Sequence, residues 1–339
     1  MNTLLKYLTS LVLFIGMAAC EPMFTEQPSM DPEAIFENLW TTFLQEYAPF
    51  EERNVDWEME YSRFRPMINS STSDEELFDV ISDLLETLDD GHVSLTAPGK
   101  EIYFANRIRR EKIDEGLFDL DVIQNNYLEN IRMDEDQSYI YGKIKNENIG
   151  YIFFDFVGDN FFRMHDFLNE FENADGLIID LRHNQGGDFT YAFSEIGRLT
   201  DQRRFVFKSK TKNGKGKDDF TPWFDWYLNP SGNYLEIPIV VLTDRFTISA
   251  GERAVMAFMT IPNAITLGDT TNGAHGTMIG RELANGWFYS LVPQKVELFD
   301  GKNYEGIGLP PDIFFKNKLE DVVSGKDELL ENAISRLNN

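Results

Sequence analysis

The sequence predicts an α/β protein in which helices flank a central β-sheet, with a small helical subdomain in front of it. Residues 177–181 and 237–242 are short and predominantly apolar, which is typical of strands buried on both faces of a sheet. A helix start follows each run, so strands and helices alternate as α/β domains require. Before residue 95 the apolar residues instead recur at helical spacing.

The composition is that of a globular protein with a strongly acidic surface. The 339 residues are 42% hydrophobic and carry a formal charge of −26, which permits a sizeable core and argues against nucleic acid as a partner. Long-range steering by this charge would favour basic or neutral peptides. One cysteine excludes an internal disulfide, and four histidines leave little room for a multi-histidine metal site.

Residues 1–19 have the features of a secretory leader. Lys6 forms a positive n-region, LVLFIG is a short apolar h-region, and small residues precede Cys20. The sole cysteine stands where similar bacterial lipoprotein signals place their lipid-modified residue, so we expect lipidation at Cys20; the alternative is an ordinary signal peptide with an incidental cysteine. Residues 20–30 form a predicted tether. No later segment offers about 18 uninterrupted apolar residues, so the expected membrane attachment is the lipid alone.

Residues 31–95 predict the helical N-terminal subdomain. Asp31-Pro32 is a helix start, with an N-cap candidate followed by proline at the first helical position. Residues 56–68 predict a weaker helix. Ser73 and Glu76 form a capping box ahead of a leucine-rich stripe that Gly91 ends.

The rest of the chain divides into three predicted regions. Residues 96–147 are charged and lack a clear period, and we assign them as a connecting region in which Tyr139–Tyr141 predicts a strand. Residues 148–320 alternate between strand and helix patterns and form the α/β core, and residues 321–339 predict a C-terminal helix. The aromatic stretch at residues 220–227 predicts either a wall of a cleft or a core hairpin.

Ser249 is the first candidate for chemistry. It stands between the buried run that ends near Leu242 and a predicted helix, where a hydroxyl is exposed above the sheet edge as in a nucleophile elbow. The N–H of Ala250 would lie in the first helical turn, where it suits an oxyanion. Ser249 and Glu252 also form a capping box, and this motif alone favours the cap; the two roles are compatible.

Three further segments carry candidate residues. Gly186 follows a buried strand, at the sheet edge where α/β proteins bind ligands, although a tight turn explains it equally. His92 follows a helix end and could act as a general base near neutral pH, or could be a surface or turn histidine. Glu305 is one of many acids, most of them solvated.

Five segments follow one another along the chain: a leucine-rich helix that ends in LDDGHVSL, then IIDLRHNQGG, VVLTDRFTISAGE, LGDTTNGAHGT and YEGIGLPPDI. Taken together, they resemble the serine peptidase family of tail-specific (C-terminal processing) proteases, the tricorn protease core and retinoid-binding repeat proteins, and the resemblance covers roughly residues 31–317. The resemblance implies a central-sheet peptidase core with crotonase-like ββα elements. The tail-specific branch carries a PDZ domain after the first helices, but residues 97–147 lack its carboxylate-binding loop, so we expect none.

The resemblance also implies catalytic roles. The tail-specific branch uses a serine–lysine dyad, but its lysine has no counterpart within residues 268–276. The tricorn-like branch takes its base from the D-G-H segment and an acid near the P-D motif. This carry-over makes Ser249 the nucleophile, His92 the base and Glu305 its supporting acid, while Gly186 and Ala250 form the oxyanion hole. His275 is a rival base.

The expected protein is therefore a serine endopeptidase of the bacterial cell envelope, anchored by lipid in the periplasm or outer membrane. It would cleave peptides or proteins through an acyl-enzyme on Ser249, with no metal or organic cofactor. The alternative is a catalytically inactive lipoprotein that binds a peptide or small ligand on the same scaffold. A metal-dependent hydrolase is disfavoured because the histidines are scattered and HExxH is absent.

Overall fold

The computed structural model describes residues 29–338. The predicted leader, Cys20 and nearly all of the tether lie outside the described residues. No helix in the described part is long and apolar enough to span a membrane. In chain order the strands are β1 (Ser94–Thr96), β2 (Tyr103–Phe104), β3 (Leu128–Met133), β4 (Tyr139–Ile144), β5 (Ile149–Phe154), β6 (Gly176–Asp180), β7 (Arg204–Thr211), β8 (Phe224–Leu228), β9 (Ile239–Thr243), β10 (Ala264–Gly268), β11 (Ile279–Glu282), β12 (Phe288–Leu291), β13 (Gln294–Leu298) and β14 (Ile313–Phe314).

A seven-stranded mixed sheet forms the centre of the molecule, in the order β14-β10-β9-β6-β5-β4-β3. Within this sheet, neighbouring strands pair in parallel from β14 through β10, β9 and β6 to β5. The strands β4 and β3 add an antiparallel edge. Every residue of β5, β6 and β9 is buried, as the apolar runs predicted. Two smaller antiparallel sheets accompany it, β11-β12-β1-β2 and β13-β7-β8. The predicted α/β class with a central sheet is confirmed.

Helices cover both faces of the central sheet. The α-helices are Pro32–Glu46, Trp57–Phe64, Asp74–Glu86, Arg107–Arg110, Leu120–Val122, Arg163–Glu170, Phe189–Ile196, Ala250–Phe258, Leu319–Val323 and Glu328–Leu337. The single-turn 3-10 segments are Arg65–Met67, Glu115–Leu117, Asp159–Phe162 and Gly197–Leu199, and Ile123–Tyr127 is a π turn. Alternate residues of a strand point to opposite faces. Accordingly, Ile179 packs with the helix Ala250–Phe258, whereas Ile178 packs with the helix Glu328–Leu337.

The N-terminal helices share a core with the sheet that contains β12. Phe43 stacks on Tyr289 with 5.6 Å between ring centroids, and Leu291 belongs to the same buried cluster. The predicted capping box is present, because the Ser73 hydroxyl accepts from the Glu76 N–H and the Glu76 carboxylate accepts from the Ser73 N–H. This packing fixes the helical region, and with it the segment that carries His92, against the body of the protein.

Two regions differ from the sequence-based assignment. The segment predicted to connect, 96–147, supplies β3 and β4 to the central sheet, and residues 97–147 hold short strands and turns in place of a PDZ domain. The predicted C-terminal helix is two helices, because Gly325 adopts a left-handed φ of 87° between them. The aromatic stretch forms β8, which pairs with β7.

Candidate active site

Ser249 lies at a sharp turn between the sheet and a helix. Strand β9 ends at Thr243, and the helix Ala250–Phe258 begins immediately after Ser249. The Ser249 backbone has φ 59° and ψ −120°, a region that costs about 1–3 kcal/mol for a residue with a side chain and persists only where the surroundings enforce it. The Ser249 N–H donates to Glu252 Oε2 at 3.1 Å. The predicted elbow and part of the predicted cap therefore occur together.

The turn after β6 lies directly against this serine. A Cβ at Gly186 would lie 2.6 Å from the Ser249 Cβ, so no other residue fits there without movement. The next residue, Gly187, has φ 137°, and a Cβ on it would meet the Val157 carbonyl oxygen at 2.0 Å. Gly186 allows the backbone to approach the Ser249 hydroxyl closely, and Gly187 allows the same turn to pack against the backbone of Val157.

The N–H groups of this region differ in availability. The Gly186 N–H donates to Asn184 Oδ1 at 3.0 Å. Within residues 29–338, the N–H groups of Gly187 and Ala250 have no acceptor, and both residues line the cleft beside Ser249. The Ala250 N–H also lies in the first turn of its helix, where the helix dipole favours negative charge.

His92 lines the same cleft, whose volume is about 760 Å³. The backbone N–H of His92 donates to Asp90 Oδ1 at 2.8 Å, and its backbone carbonyl accepts from the Ser290 hydroxyl at 2.7 Å. The preceding Gly91 packs against Ile248, the neighbour of Ser249, so closely that a Cβ would lie 2.4 Å from the Ile248 Cδ1. The two predicted segments are therefore adjacent in the fold.

The His92 ring is held without a hydrogen-bond partner. In the described part of the chain its Nδ1 is buried and unpaired, and the ring makes no hydrogen bond to Ser249. Burial lowers the pKa of His92 below its usual value, although the charges of Asp90 and Glu305 oppose this shift. The ring is therefore neutral near pH 7, the form that can accept a proton.

Glu305 is buried in a network of polar groups close to the His92 segment. Its carboxylate accepts from Arg53 Nη2 at 2.6 Å and from the backbone N–H of His275 at 2.9 Å. Arg53 also pairs with Asp90, at 3.4 Å from Nε to Oδ2, and the Tyr47 hydroxyl donates to the same oxygen at 2.7 Å. One guanidinium thus links the predicted acid to the carboxylate that holds His92.

His275 occupies a different position. Its Nε2 lies 3.0 Å from Glu252 Oε1 in a fully buried pair, and the residue is not among those that line the cleft. Burial alone would lower the pKa of His275, but the Glu252 carboxylate raises it above its usual value. Burial would likewise raise the pKa of Glu252, yet the imidazolium and four hydrogen-bond donors hold it at about 2. His275 and Glu252 are therefore a stable ion pair beneath the elbow.

The structure thus brings the segments of Ser249, His92, Glu305, Gly186 and Ala250 together around one cleft and its supporting network. Sequence reasoning did not assign roles to Tyr47, Arg53 or Asp90. Only Asp90 gave a local signal, because it lies two residues before His92. In the described residues no cluster of three or more histidine, cysteine or acidic side chains could hold a metal ion. The aromatic residues 220–227 do not line the cleft.

The chain is similar in sequence and fold to known proteins. A model of peptidase family S41 matches residues 148–315, and a model of the tricorn protease C1 domain matches residues 28–86. A candidate tricorn-like protease C-terminal subunit of Sulfurisphaera tokodaii is 27% identical over 206 residues, covering 60% of this chain and 22% of that protein. The nisin-resistance protein of Lactococcus lactis is 28% identical over 143 residues, 39% of each chain. The chain therefore spans well under half the length of these two relatives.

A solved structure of a candidate peptidase from Parabacteroides merdae superposes with a TM-score of 0.82 at 26% identity, covering 91% of this chain and 97% of that one. The class defined by the fold and the cleft is an α/β protein of serine-peptidase type, with its serine at a strand-to-helix elbow. The chain belongs to peptidase family S41, among the tail-specific and tricorn-like members. The predicted family is confirmed.

Proposed function

We propose that this protein is a serine endopeptidase in which Ser249 forms the acyl-enzyme and His92 is the base. The observation that carries the proposal is the shared cleft, in which a serine held at φ 59° and a neutral histidine face the same space. The family membership supports a serine-peptidase type of activity. The role of each side chain is our proposal.

In the first step His92 accepts the hydroxyl proton while Ser249 Oγ bonds to the carbonyl carbon of the peptide. The carbonyl oxygen becomes an oxyanion, stabilised by backbone N–H groups. We assign these donors to Ala250 and to the Gly186-Gly187 turn. Because the Gly186 N–H already donates to Asn184, the Gly187 N–H is the freer donor of that turn.

In the second step the C–N bond breaks, and His92 returns the proton to the leaving amine. Water then attacks the ester with His92 again as base, and the acid product leaves Ser249 unmodified. Glu305 supports the base from a distance. Its charge raises the proton affinity of His92 against the effect of burial, and its contact with Arg53 connects it to Asp90, which positions the His92 backbone.

The choice of His92 over His275 rests on their surroundings. The His275 ring donates to Glu252 and does not line the cleft, whereas the His92 ring lines it. An imidazolium paired with a buried carboxylate has no lone pair to accept a proton from a serine. His275 thus serves to hold Glu252, which in turn accepts from the Ser249 N–H.

We further propose that the protein acts in the bacterial cell envelope, attached by a lipid on Cys20. This rests on the leader-like residues 1–19 and on the position of the sole cysteine. The proposed substrates are peptides or proteins of that compartment. Metabolic labelling with a clickable fatty acid should mark the wild-type chain but not a Cys20→Ser chain; equal labelling would refute the anchor.

The central experiment compares wild type with Ser249→Ala for hydrolysis of an internally quenched peptide library and for labelling by a serine-directed phosphonate. We expect both signals to vanish in the variant. Ser290→Ala is the matched control, because it removes another cleft hydroxyl, and it should still be labelled. Hydrolysis by Ser249→Ala, or a phosphonate adduct on another residue, would refute the nucleophile.

The second candidate function is an inactive binding lipoprotein on this scaffold. The absence of a hydrogen bond between the His92 ring and Ser249 in the described residues favours it, although such contacts often tighten only with substrate bound. Phosphonate labelling separates the two functions. A wild-type protein that binds peptides but never reacts with the phosphonate is a binding protein.

A further inference from the structure

Arg253 is a charged residue in the wall of the Ser249 cleft that neither the resemblance nor the proposed mechanism uses. It lies one helical turn after Ser249, and its N–H donates to the Ser249 carbonyl at 3.1 Å. Residues four apart project from the same face of a helix, and both line the cleft. Arg253 is only 4% exposed, so its charge is almost entirely removed from bulk water.

The partners of this guanidinium are all uncharged. Nε and Nη2 donate to the His275 carbonyl at 3.1 and 2.9 Å, and Nη2 also donates to Gln294 Oε1 at 2.6 Å and to Thr277 Oγ1 at 3.3 Å. The guanidinium carbon lies 4.6 Å and 5.0 Å from the ring centroids of Phe189 and Phe207. Within residues 29–338 no carboxylate lies within 4.0 Å of the Arg253 nitrogens, and the hydrogen bonds of the guanidinium leave from Nε and Nη2, not from Nη1.

A buried cation without a carboxylate partner is costly, and proteins rarely retain one without a use. Burial lowers the pKa of Arg253 to about 10, even though Glu305, Glu252 and Asp188 attract the charge from further away. Those acids do not neutralise it. Glu305 and Glu252 are occupied by Arg53 and His275, and Asp188 accepts from the N–H and hydroxyl of Thr190.

Cations outnumber acids among the residues that line the cleft, whereas the chain carries a charge of −26. Its charged lining residues are Arg253, Arg109 and Asp188. Arg109 is exposed at the rim and stacks on Phe104, 4.2 Å from the ring centroid. The charged side chains that line the cleft therefore differ in balance from the acidic surface as a whole.

We propose that Arg253 is a specificity-determining residue that binds a carboxylate of the peptide close to the scissile bond. A guanidinium with a free Nη1 can bind a carboxylate through charge-assisted hydrogen bonds. An extended peptide advances about 3.3–3.6 Å per residue, so a group one helical turn from Ser249 lies within one or two residues of the bond that is cut. The carboxylate is either an Asp or Glu side chain or the C-terminus of the peptide. This proposal rests on the proposed peptidase function.

The test uses pairs of internally quenched peptides that differ by one charge. In one set a single Glu or Gln is moved through the positions around the scissile bond; in the other set a neutral peptide ends in a free carboxylate or an amide. We expect wild type to prefer the charged member of one set by about 10- to 100-fold in kcat/KM, because hydrogen bonds to charged groups contribute free energy of that order. The set that responds identifies the source of the carboxylate. Equal rates in both sets would overturn the proposal.

Variants then assign the preference to Arg253. Arg253→Gln should reduce the ratio of kcat/KM between the charged and the neutral peptide to about 1. Arg253→Lys keeps the charge but loses the planar set of guanidinium N–H donors (the fork), and it should retain part of the ratio. Arg109→Gln is the matched control and should keep the ratio. A ratio that survives in Arg253→Gln, or that collapses equally in Arg109→Gln, would overturn the proposal. If Arg253→Gln does not fold, the Arg253→Lys ratio decides, since an unchanged ratio excludes recognition by the fork.

A binding measurement separates this proposal from the peptidase proposal. The affinities of the same peptides are measured for Ser249→Ala and for the double variant with Arg253→Gln, where no turnover is required. A preference for the charged peptide that depends on Arg253 supports the subsite even if wild type hydrolyses nothing. Hydrolysis without any such preference would retain the peptidase and reject the subsite.

Discussion

Two histidines lie beside the Ser249 elbow, and their rings have different surroundings. The His275 ring is paired with the buried Glu252 carboxylate at 3.0 Å, whereas the His92 ring has no hydrogen-bond partner in the described residues and lines the cleft. Their pKa values accordingly move in opposite directions: burial lowers that of His92, and Glu252 raises that of His275 against burial.

This difference separates two uses of one residue type. A charged imidazole tied to a carboxylate stabilises its surroundings but cannot take a proton, while a neutral imidazole facing a cleft can. His275 pairs with Glu252, which accepts from the Ser249 N–H. In the proposed mechanism, His92 supplies the proton acceptor.

The largest effect is expected on activity from His92→Gln. Loss of a general base costs about 10²- to 10⁴-fold in rate, so kcat/KM should fall by that factor. The folded state should change little, because the ring makes no hydrogen bond. Steady-state kinetics with a quenched peptide, together with thermal unfolding, measures both quantities. A His92→Gln enzyme with wild-type kcat/KM would assign the base elsewhere.

The next effect is expected on stability from His275→Asn. The substitution leaves Glu252 buried without its cation, and breaking a buried ion pair costs about 3–5 kcal/mol. The four remaining donors to Glu252 place the loss near the lower end. Denaturant unfolding at pH 6 measures the free energy of unfolding, with His92→Asn as control. Equal destabilisation by the two changes would contradict the distinction between the rings.

A comparison across pH sharpens the same distinction. A folded-state pKa raised above 6.5 means that the contribution of His275 is fully present below pH 6.5 and is lost as pH rises through the folded pKa. The stability difference between wild type and His275→Asn should therefore shrink at alkaline pH. By contrast, a lowered pKa of His92 places the acidic limb of kcat/KM below pH 6.5. An acidic limb above pH 6.5 would point to His275.

The sequence was sufficient to predict the segments of the site but not its supports. Apolar runs located β6 and β9, and their junctions with helices located Gly186 and Ser249, because local pattern determines where a strand ends. Arg53 gave no signal, since its role depends on contacts with Glu305 and Asp90, which are far away in the chain. The strand β4 was predicted from Tyr139–Tyr141, but β3 was missed, because its exposed position at the edge of the sheet leaves too few apolar residues to show a period.

The smallest effect is expected from Ser290→Ala, which tests how firmly the His92 segment is positioned. The Ser290 hydroxyl donates to the His92 carbonyl at 2.7 Å and lies 2.7 Å from the Ser94 hydroxyl. Losing such a hydrogen bond costs about 0.5–1.5 kcal/mol, which corresponds to roughly a 2- to 13-fold change in an equilibrium. We expect kcat/KM to fall within that range while the affinity for a bound peptide is retained, because the change displaces the base and not the cleft. The double variant with His92→Gln tests whether Ser290 acts through His92. Once the imidazole is absent, removing the Ser290 hydroxyl should have no further effect on kcat/KM. An additive loss would show that Ser290 acts on the peptide itself.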